Sequence, residues 1–251
     1  MYAEKRGEQQ PGSQRQPGAG TIIGKPPLLR EQGQDALCMQ LYVFDPSLYF
    51  ITDSTNYTEE EFLFRVEQAL KGGATLLQLR EKNKSTREYI KLAEKVHEIA
   101  KRYNVPLIID DRVDVALAID AEGVHVGASD MPVAAARKLM GEDKIVGATA
   151  KTVPWAKEAC EQGADYLGVG AIYPTTTKVV TVRTSPETLD EITKAVPIPV
   201  NAIGGLNKDN IDILKGIGIS GICVVSAIMK ADDPKSAAEK LKARAKELRL
   251  I

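Results

Sequence analysis

Aromatic residues make up 5% of the 251-residue chain, cysteine occupies three positions and histidine two. Each shortage excludes something. Cys38, Cys160 and Cys223 lie far apart and form no CxxC pair, which argues against a disulfide framework or a cysteine zinc site and fits a reducing compartment. So few aromatics leave no stacking platform for bases. The 33 basic and 34 acidic residues nearly cancel, giving a net charge of −1, so there is no overall field tuned to nucleic acid. No run of 18 apolar residues occurs, which excludes a transmembrane helix. The opening MYAEKRGEQQ lacks the apolar core of a signal peptide. Neither histidine sits in a serine or cysteine motif, so a nucleophile–histidine hydrolase has little support. The expectation is a cytoplasmic protein without a nucleic-acid or membrane partner.

What is present is ordinary globular composition, 43% apolar and 27% charged. It is unevenly spread. Residues 1–35 hold six Gln, six Gly and four Pro with no apolar periodicity, too little to offset the entropy of ordering. They read as a disordered, flexible N-terminal tail without a catalytic role. Residues 36–251 read as a single domain, entered through the apolar ALCMQLYVF (36–44), which could pack on the body as a helix or strand.

From residue 47 short apolar runs alternate with segments of helical period. The runs are LYFITD (48–53), ATLLQLRE (74–81), PLIIDD (106–111), GVHVG (123–127), KIVGAT (144–149), YLGVGAIY (166–173), PVNAIGG (199–205) and GICVVSAI (221–228), each followed by a helical stretch. Strands that return through helices must be parallel, and a parallel sheet covered on both faces needs near-continuous apolar strands. Eight such units predict an α/β fold, a (β/α)8 TIM barrel. A doubly wound open sheet is the rival, disfavoured because no GxGxxG follows the first strand.

Active sites of such barrels lie at the C-terminal strand ends, so polar residues there matter most. In QLREK (78–82), Gln78, Arg80 and Lys82 share one face of a strand and suit an anionic substrate, or else form rim ion pairs. IIDDR (108–112) sets Asp110 and Asp111 after an apolar strand, and Asp130 follows the next one. Asp111 and Asp130 suit Mg2+, which takes one or two carboxylates plus substrate oxygens and water. The same aspartates suit helix capping, with Arg112 as a partner. In YPTTTK (173–178), Thr175, Thr177 and Lys178 offer donors and a charge to phosphate, or form a solvated turn. Gly204 and Gly205 permit close backbone approach and, with Val225 and Ser226 at the start of a short helix, resemble the phosphate site of strands 7 and 8. His125 alternates with valines inside strand 4 and reads more readily as a satisfied interior residue than as a catalytic one; His97 reads as an outer-face helix residue.

These strand ends, YFITD, QLREK, DDRVD, GVHVGASD, VGAT, DYLGVGAIYPTTTK, AIGG and VVSAI in that order, resemble thiamine phosphate synthase over residues 47–230. That resemblance implies a transferase that joins a hydroxymethylpyrimidine diphosphate to a thiazole phosphate, or its carboxylated form, releasing pyrophosphate. It implies that Gln78, Leu79, Arg80, Glu81, Lys82, Asp110, Thr149 and Lys178 hold the pyrimidine diphosphate, with Arg80, Lys82 and Lys178 the charges that matter to turnover. It further implies that Thr175, Thr176, Thr177, Gly204, Gly205, Val225 and Ser226 hold the thiazole phosphate, and that Asp111 and Asp130 bind Mg2+. The partners so implied are small phosphorylated molecules, and a homo-oligomer is compatible with the sequence.

The chain departs from that pattern at Asp110, where the family often has Asn, and at Ala128, where Gln is common; Lys151 and Ala171 also differ. Two rival readings are a thiazole tautomerase of the same superfamily and a non-catalytic binder of phosphate ligands. Retention of Arg80, Lys82, Asp111, Asp130 and Lys178 favours the synthase.

Overall fold

Each predicted strand is present, and together they close on themselves. The structure is a computed structural model; it describes the backbone of residues 21–22, and residues 43–174 and 183–251. The barrel strands are β1 (Leu48–Ile51), β2 (Leu76–Leu79), β3 (Leu107–Asp110), β4 (Gly123–Val126), β5 (Ile145–Ala150), β6 (Tyr166–Gly170), β7 (Val200–Ile203) and β8 (Gly221–Val224). Every neighbouring pair is parallel, and β8 pairs with β1 to shut the barrel. The open-sheet alternative is thereby excluded. Before the barrel, Thr21–Ile22 pairs antiparallel with Val43–Phe44. The rest of the expected tail lies outside the described residues.

Alternation along each strand divides the core into two layers. Tyr49, Ile51, Leu76, Ile108, Ile145, Tyr166 and Cys223 fill the barrel, with Phe44 packed among them. Leu48, Phe50, Leu77, Leu79, Leu107 and Ile109 face outward into the helix layer. The helices are α1 (Glu59–Lys71), α2 (Thr86–Arg102), α3 (Val113–Ala118), α4 (Val133–Met140), α5 (Val153–Glu161), α6 (Pro186–Ala195), the short α7 (Ser226–Met229) and α8 (Pro234–Glu247). Helix α2 shows why they form: Tyr89, Leu92, Ala93, Val96, Ile99 and Ala100 make one buried stripe at helical spacing. Ser85 and Glu88 close a reciprocal capping box at its start. Among the described residues no helix is long and apolar enough to cross a membrane.

One unit departs from its predicted helix. KDNIDILKGIG is not α-helical; it folds as a single 3-10 turn, Ile211–Leu214. Asn and Asp side chains there bond nearby backbone instead: Asn210 accepts from the Asn207 amide at 2.8 Å, and Asn207 from the Asp209 amide at 2.9 Å. Such local bonds compete with helical ones, and Gly216, with a φ of 86°, ends the segment.

Candidate active site

The polar groups converge on a cavity at the C-terminal mouth of the barrel. Its wall includes Gln78, Arg80, Asp110, His125, Thr149, Lys151, Gly204, Gly205, Val225 and Ser226. At the end of β2 the two-residue period holds: Gln78 is buried inside the barrel and donates to the Tyr49 hydroxyl at 2.7 Å. The Arg80 amide donates to Thr52 Oγ1 at 3.1 Å, which fixes the strand end while the guanidinium stays at the cavity. Leu79 and Glu81 point elsewhere. Leu79 packs in the outer layer, leaving only its backbone for a ligand, and that carbonyl already accepts from Tyr89 at 2.7 Å. Glu81 accepts from Ser54 at 2.9 Å, and burial pushes its carboxyl above the usual range. Alternation places both side chains on the far side of the strand from Gln78 and Arg80.

Beside Arg80, one ammonium serves two acids. Lys82 Nζ lies 2.8 Å from Asp110 and in closer contact with Asp111, and Arg80 Nε is 3.7 Å from Asp110. Burial works against the Lys82 charge, but the two aspartates outweigh it and raise its pKa. Burial also raises the Asp110 carboxyl, opposed by Lys82 and Arg80. Asp111 has a φ of 60°, a left-handed geometry that a short polar side chain tolerates, and this bend brings its carboxylate back to Lys82. Asp130 is raised first by burial and then by the Asp111 carboxyl beside it.

Helix capping does not explain these acids. The N-cap of α3 is Arg112 and that of α4 is Pro132, neither with a side-chain cap bond. Asp130 accepts from the Gly127 amide at 2.9 Å, and Arg112 pairs with Asp114 rather than with Asp110 or Asp111. Among the described residues no group of three or more His, Cys, Asp or Glu forms a metal cage. The neighbouring carboxylates of Asp111 and Asp130 do suit a divalent ion, since Mg2+ is commonly held by one or two carboxylates with substrate oxygens and water.

Across the rim, glycine is required at two places. A Cβ on Gly204 (φ 105°) would stand 2.5 Å from Ala171, and one on Gly205 (φ 65°) 2.7 Å from Tyr173. Their bare backbone opens onto the cavity beside Val225 and Ser226, where α7 begins. Thr175, Thr176, Thr177 and Lys178 lie outside the described residues.

The wall also carries residues beyond those expected from the sequence, among them Lys151, Tyr49, Cys223 and His125. Lys151 adds a cation, legible only as a departure at the end of β5. Tyr49 and Cys223 line the cavity from the barrel interior; burial pushes the Cys223 thiol well up, so it is no ready nucleophile. His125 is both interior and at the cavity: it is 9% exposed, and its ring bonds Tyr166 at 3.1 Å and Thr149 at 3.0 Å.

Comparison with known proteins agrees with this geometry. The family model described as thiamine monophosphate synthase matches residues 48–228, a span that covers all eight strands. Thiamine-phosphate synthase of Methanobrevibacter smithii is 53% identical over 197 residues, 78% of this chain and 94% of that protein. Thiamine-phosphate synthase 2 of Streptococcus pneumoniae serotype 4 is 53% identical over 186 residues, 74% and 89% of the two chains. Among solved structures, thiamine phosphate pyrophosphorylase from Pyrococcus furiosus matches with a TM-score of 0.73 at 41% identity, covering 81% of this chain and 97% of that one. A 3-hexulose-6-phosphate synthase shares the fold alone, with a TM-score of 0.61 at 18% identity. With its eight strands, their order and the charged mouth all inside the matched span, this chain belongs to the thiamine monophosphate synthase family.

Proposed function

We propose that this chain condenses a hydroxymethylpyrimidine diphosphate with a thiazole phosphate in the mouth of its barrel, forming thiamine phosphate and pyrophosphate. Thiamine-phosphate synthase is the activity named for its close relatives. The observation that carries the reading is a mouth with two sectors suited to anions. Arg80 and Lys82 stand at one, compensated only by carboxylates, and the Gly204–Gly205 backbone and Ser226 stand at the other.

The reaction breaks the bond between the pyrimidine methylene and the diphosphate oxygen, and forms one from that methylene to the thiazole nitrogen. No covalent nucleophile is required, since the pyrimidine can carry positive charge at its methylene. Arg80, Lys82 and Lys178 hold the diphosphate and balance its charge as it departs, an electrostatic contribution of the kind that dominates such sites. Gln78 and Asp110 lie on the pyrimidine side, and the Thr149 hydroxyl faces the diphosphate. Thr175, Thr176, Thr177, Gly204, Gly205, Val225 and Ser226 hold the thiazole phosphate, fixing its nitrogen in line with the methylene. Asp111 and Asp130 would hold Mg2+, which when bound supplies further positive charge to the leaving group. We place the reaction in the cytoplasm, with a homo-oligomer compatible with the barrel.

Purified chain mixed with both substrates and Mg2+ is expected to release thiamine phosphate and pyrophosphate in equal amounts. No product at high enzyme concentration would overturn the reading. A tautomerase or a simple binder would leave the pyrimidine diphosphate intact.

A further inference from the structure

Beneath the cavity runs an unbroken line of hydrogen bonds through the barrel interior. Gln78 Nε2 lies 2.7 Å from Tyr49 Oη, Tyr49 Oη 2.7 Å from Tyr166 Oη, Tyr166 Oη 3.1 Å from His125 Nδ1, and His125 Nε2 3.0 Å from Thr149 Oγ1. The five residues come from β2, β1, β6, β4 and β5. Both tyrosines are buried. Burial raises both phenols, so each keeps its proton. Gly147 makes the line possible, because a Cβ there would stand 2.2 Å from Tyr166 Cζ.

With the Gln78 amide nitrogen toward Tyr49, the line has one direction that satisfies every proton. Gln78 Nε2 can only donate to Tyr49. Among the described residues the other partner of Tyr49 is Tyr166, so the Tyr49 proton goes there. Tyr166 then gives its own proton to His125 Nδ1. A histidine that accepts at Nδ1 and is neutral carries its proton on Nε2, and that proton goes to Thr149 Oγ1. With Gln78 Nε2 facing Tyr49, the reverse order would bury the Tyr49 hydroxyl hydrogen without an acceptor, which proteins avoid.

We propose that this floor is a one-way relay that fixes His125 as the Nε2–H tautomer and turns the Thr149 hydroxyl hydrogen into the cavity, ready to donate to a substrate anion. Thr149 accepts from behind and donates in front. Tyr49, Tyr166 and His125 are positioning residues, acting through Thr149 without touching the reacting atoms. The inference rests on the reading above only in that an anion sits before Thr149; the tautomer does not depend on it.

The test has two arms. In the wild-type protein without substrate, long-range 1H–15N NMR of the two histidine rings, distinguished by a His97→Gln variant, reads the tautomer directly. Nε2–H at His125 is expected; Nδ1–H or an imidazolium overturns the relay, whatever the enzyme's activity. In the second arm Tyr166→Phe keeps the ring and removes the proton donor. It should give mixed His125 tautomers and lower kcat/KM for the pyrimidine diphosphate about tenfold, the order lost with one hydrogen bond to an anion, leaving KM for the thiazole phosphate unchanged. In a Thr149→Val background the same change should cost nothing more, because residues acting through one group are not additive. Multiplicative losses would overturn the proposal.

Discussion

The two ends of this barrel treat charge in opposite ways. At the N-terminal end two charged clusters fasten the backbone. Arg137 donates to the carbonyls of Gly163 at 3.0 Å, Gly141 at 2.7 Å and Lys144 at 2.7 Å, and pairs with Asp165, which also accepts from the Val146 amide at 2.7 Å. Glu122 accepts from the Leu107 amide at 2.8 Å and meets His97 at 3.0 Å. At the C-terminal end the charges are held mainly by one another: Lys82 is shared by two aspartates, and the carboxyls of Glu81, Asp110 and Asp130 are all raised by burial. Charge that fastens the backbone stabilises the fold. Charge that is crowded and compensated mainly by its neighbours is suited to a ligand.

That contrast breaks if the two ends respond alike to mutation. The largest effect is expected at the mouth: Lys82→Ala should lower kcat/KM by about a hundredfold, the scale of a lost electrostatic group, with the melting temperature little changed. Arg137→Ala should do the reverse, costing about 2 kcal/mol by taking the donor from the Gly163, Gly141 and Lys144 carbonyls while activity per folded molecule is kept. Denaturation curves and steady-state rates on both variants decide it, and an equal stability loss at both ends would erase the distinction.

A smaller effect tests the link between floor and mouth. Gly147→Ala would press a methyl against the Tyr166 ring, and such overpacking costs about 1–3 kcal/mol. Because Tyr166 also supports His125, turnover should fall as well; full activity in a destabilised variant would detach the floor from the chemistry.

Asp130→Asn sharpens the contrast from the other side. The folded pKa of Asp130 is raised, so ionisation is harder in the folded chain than in the unfolded one. That penalty is absent below the usual aspartate range, about pH 4, and grows as pH rises through the folded value. The variant should therefore be more stable than wild type at pH 7, converge with it near pH 4, and need more Mg2+ for turnover. Urea midpoints at the two pH values check the sign; a less stable variant at pH 7 would contradict it. The smallest effect is expected from deleting residues 1–35, which should leave the rate nearly unchanged.

The side of the mouth on which cations stand was legible because a strand has a period of two. Gln78 and Arg80 face inward as that period requires, while Leu79 and Glu81 face away. The aspartates were legible as residue types but not as geometry. Capping and metal binding leave the same trace in sequence, and the caps actually found, Arg112 and Pro132, set capping aside. The helix expected after β7 was misread because its Asn and Asp side chains favour local backbone bonds over the helical ones that its apolar spacing suggests. His125 was read as an interior residue, which it is, yet the same ring reaches the cavity.

By itself the sequence determined the eight strands, the helices that follow seven of them, their parallel order and the polar strand ends, because periodicity and chain connectivity are local properties. The tertiary structure decided which groups meet. Tyr49 bonds Tyr166 across 117 residues and His125 bonds Tyr166 across 41, distances over which no periodicity carries information. Closure of the barrel brings five separate strands to one buried floor, and there the need to satisfy every buried proton decides what each side chain does.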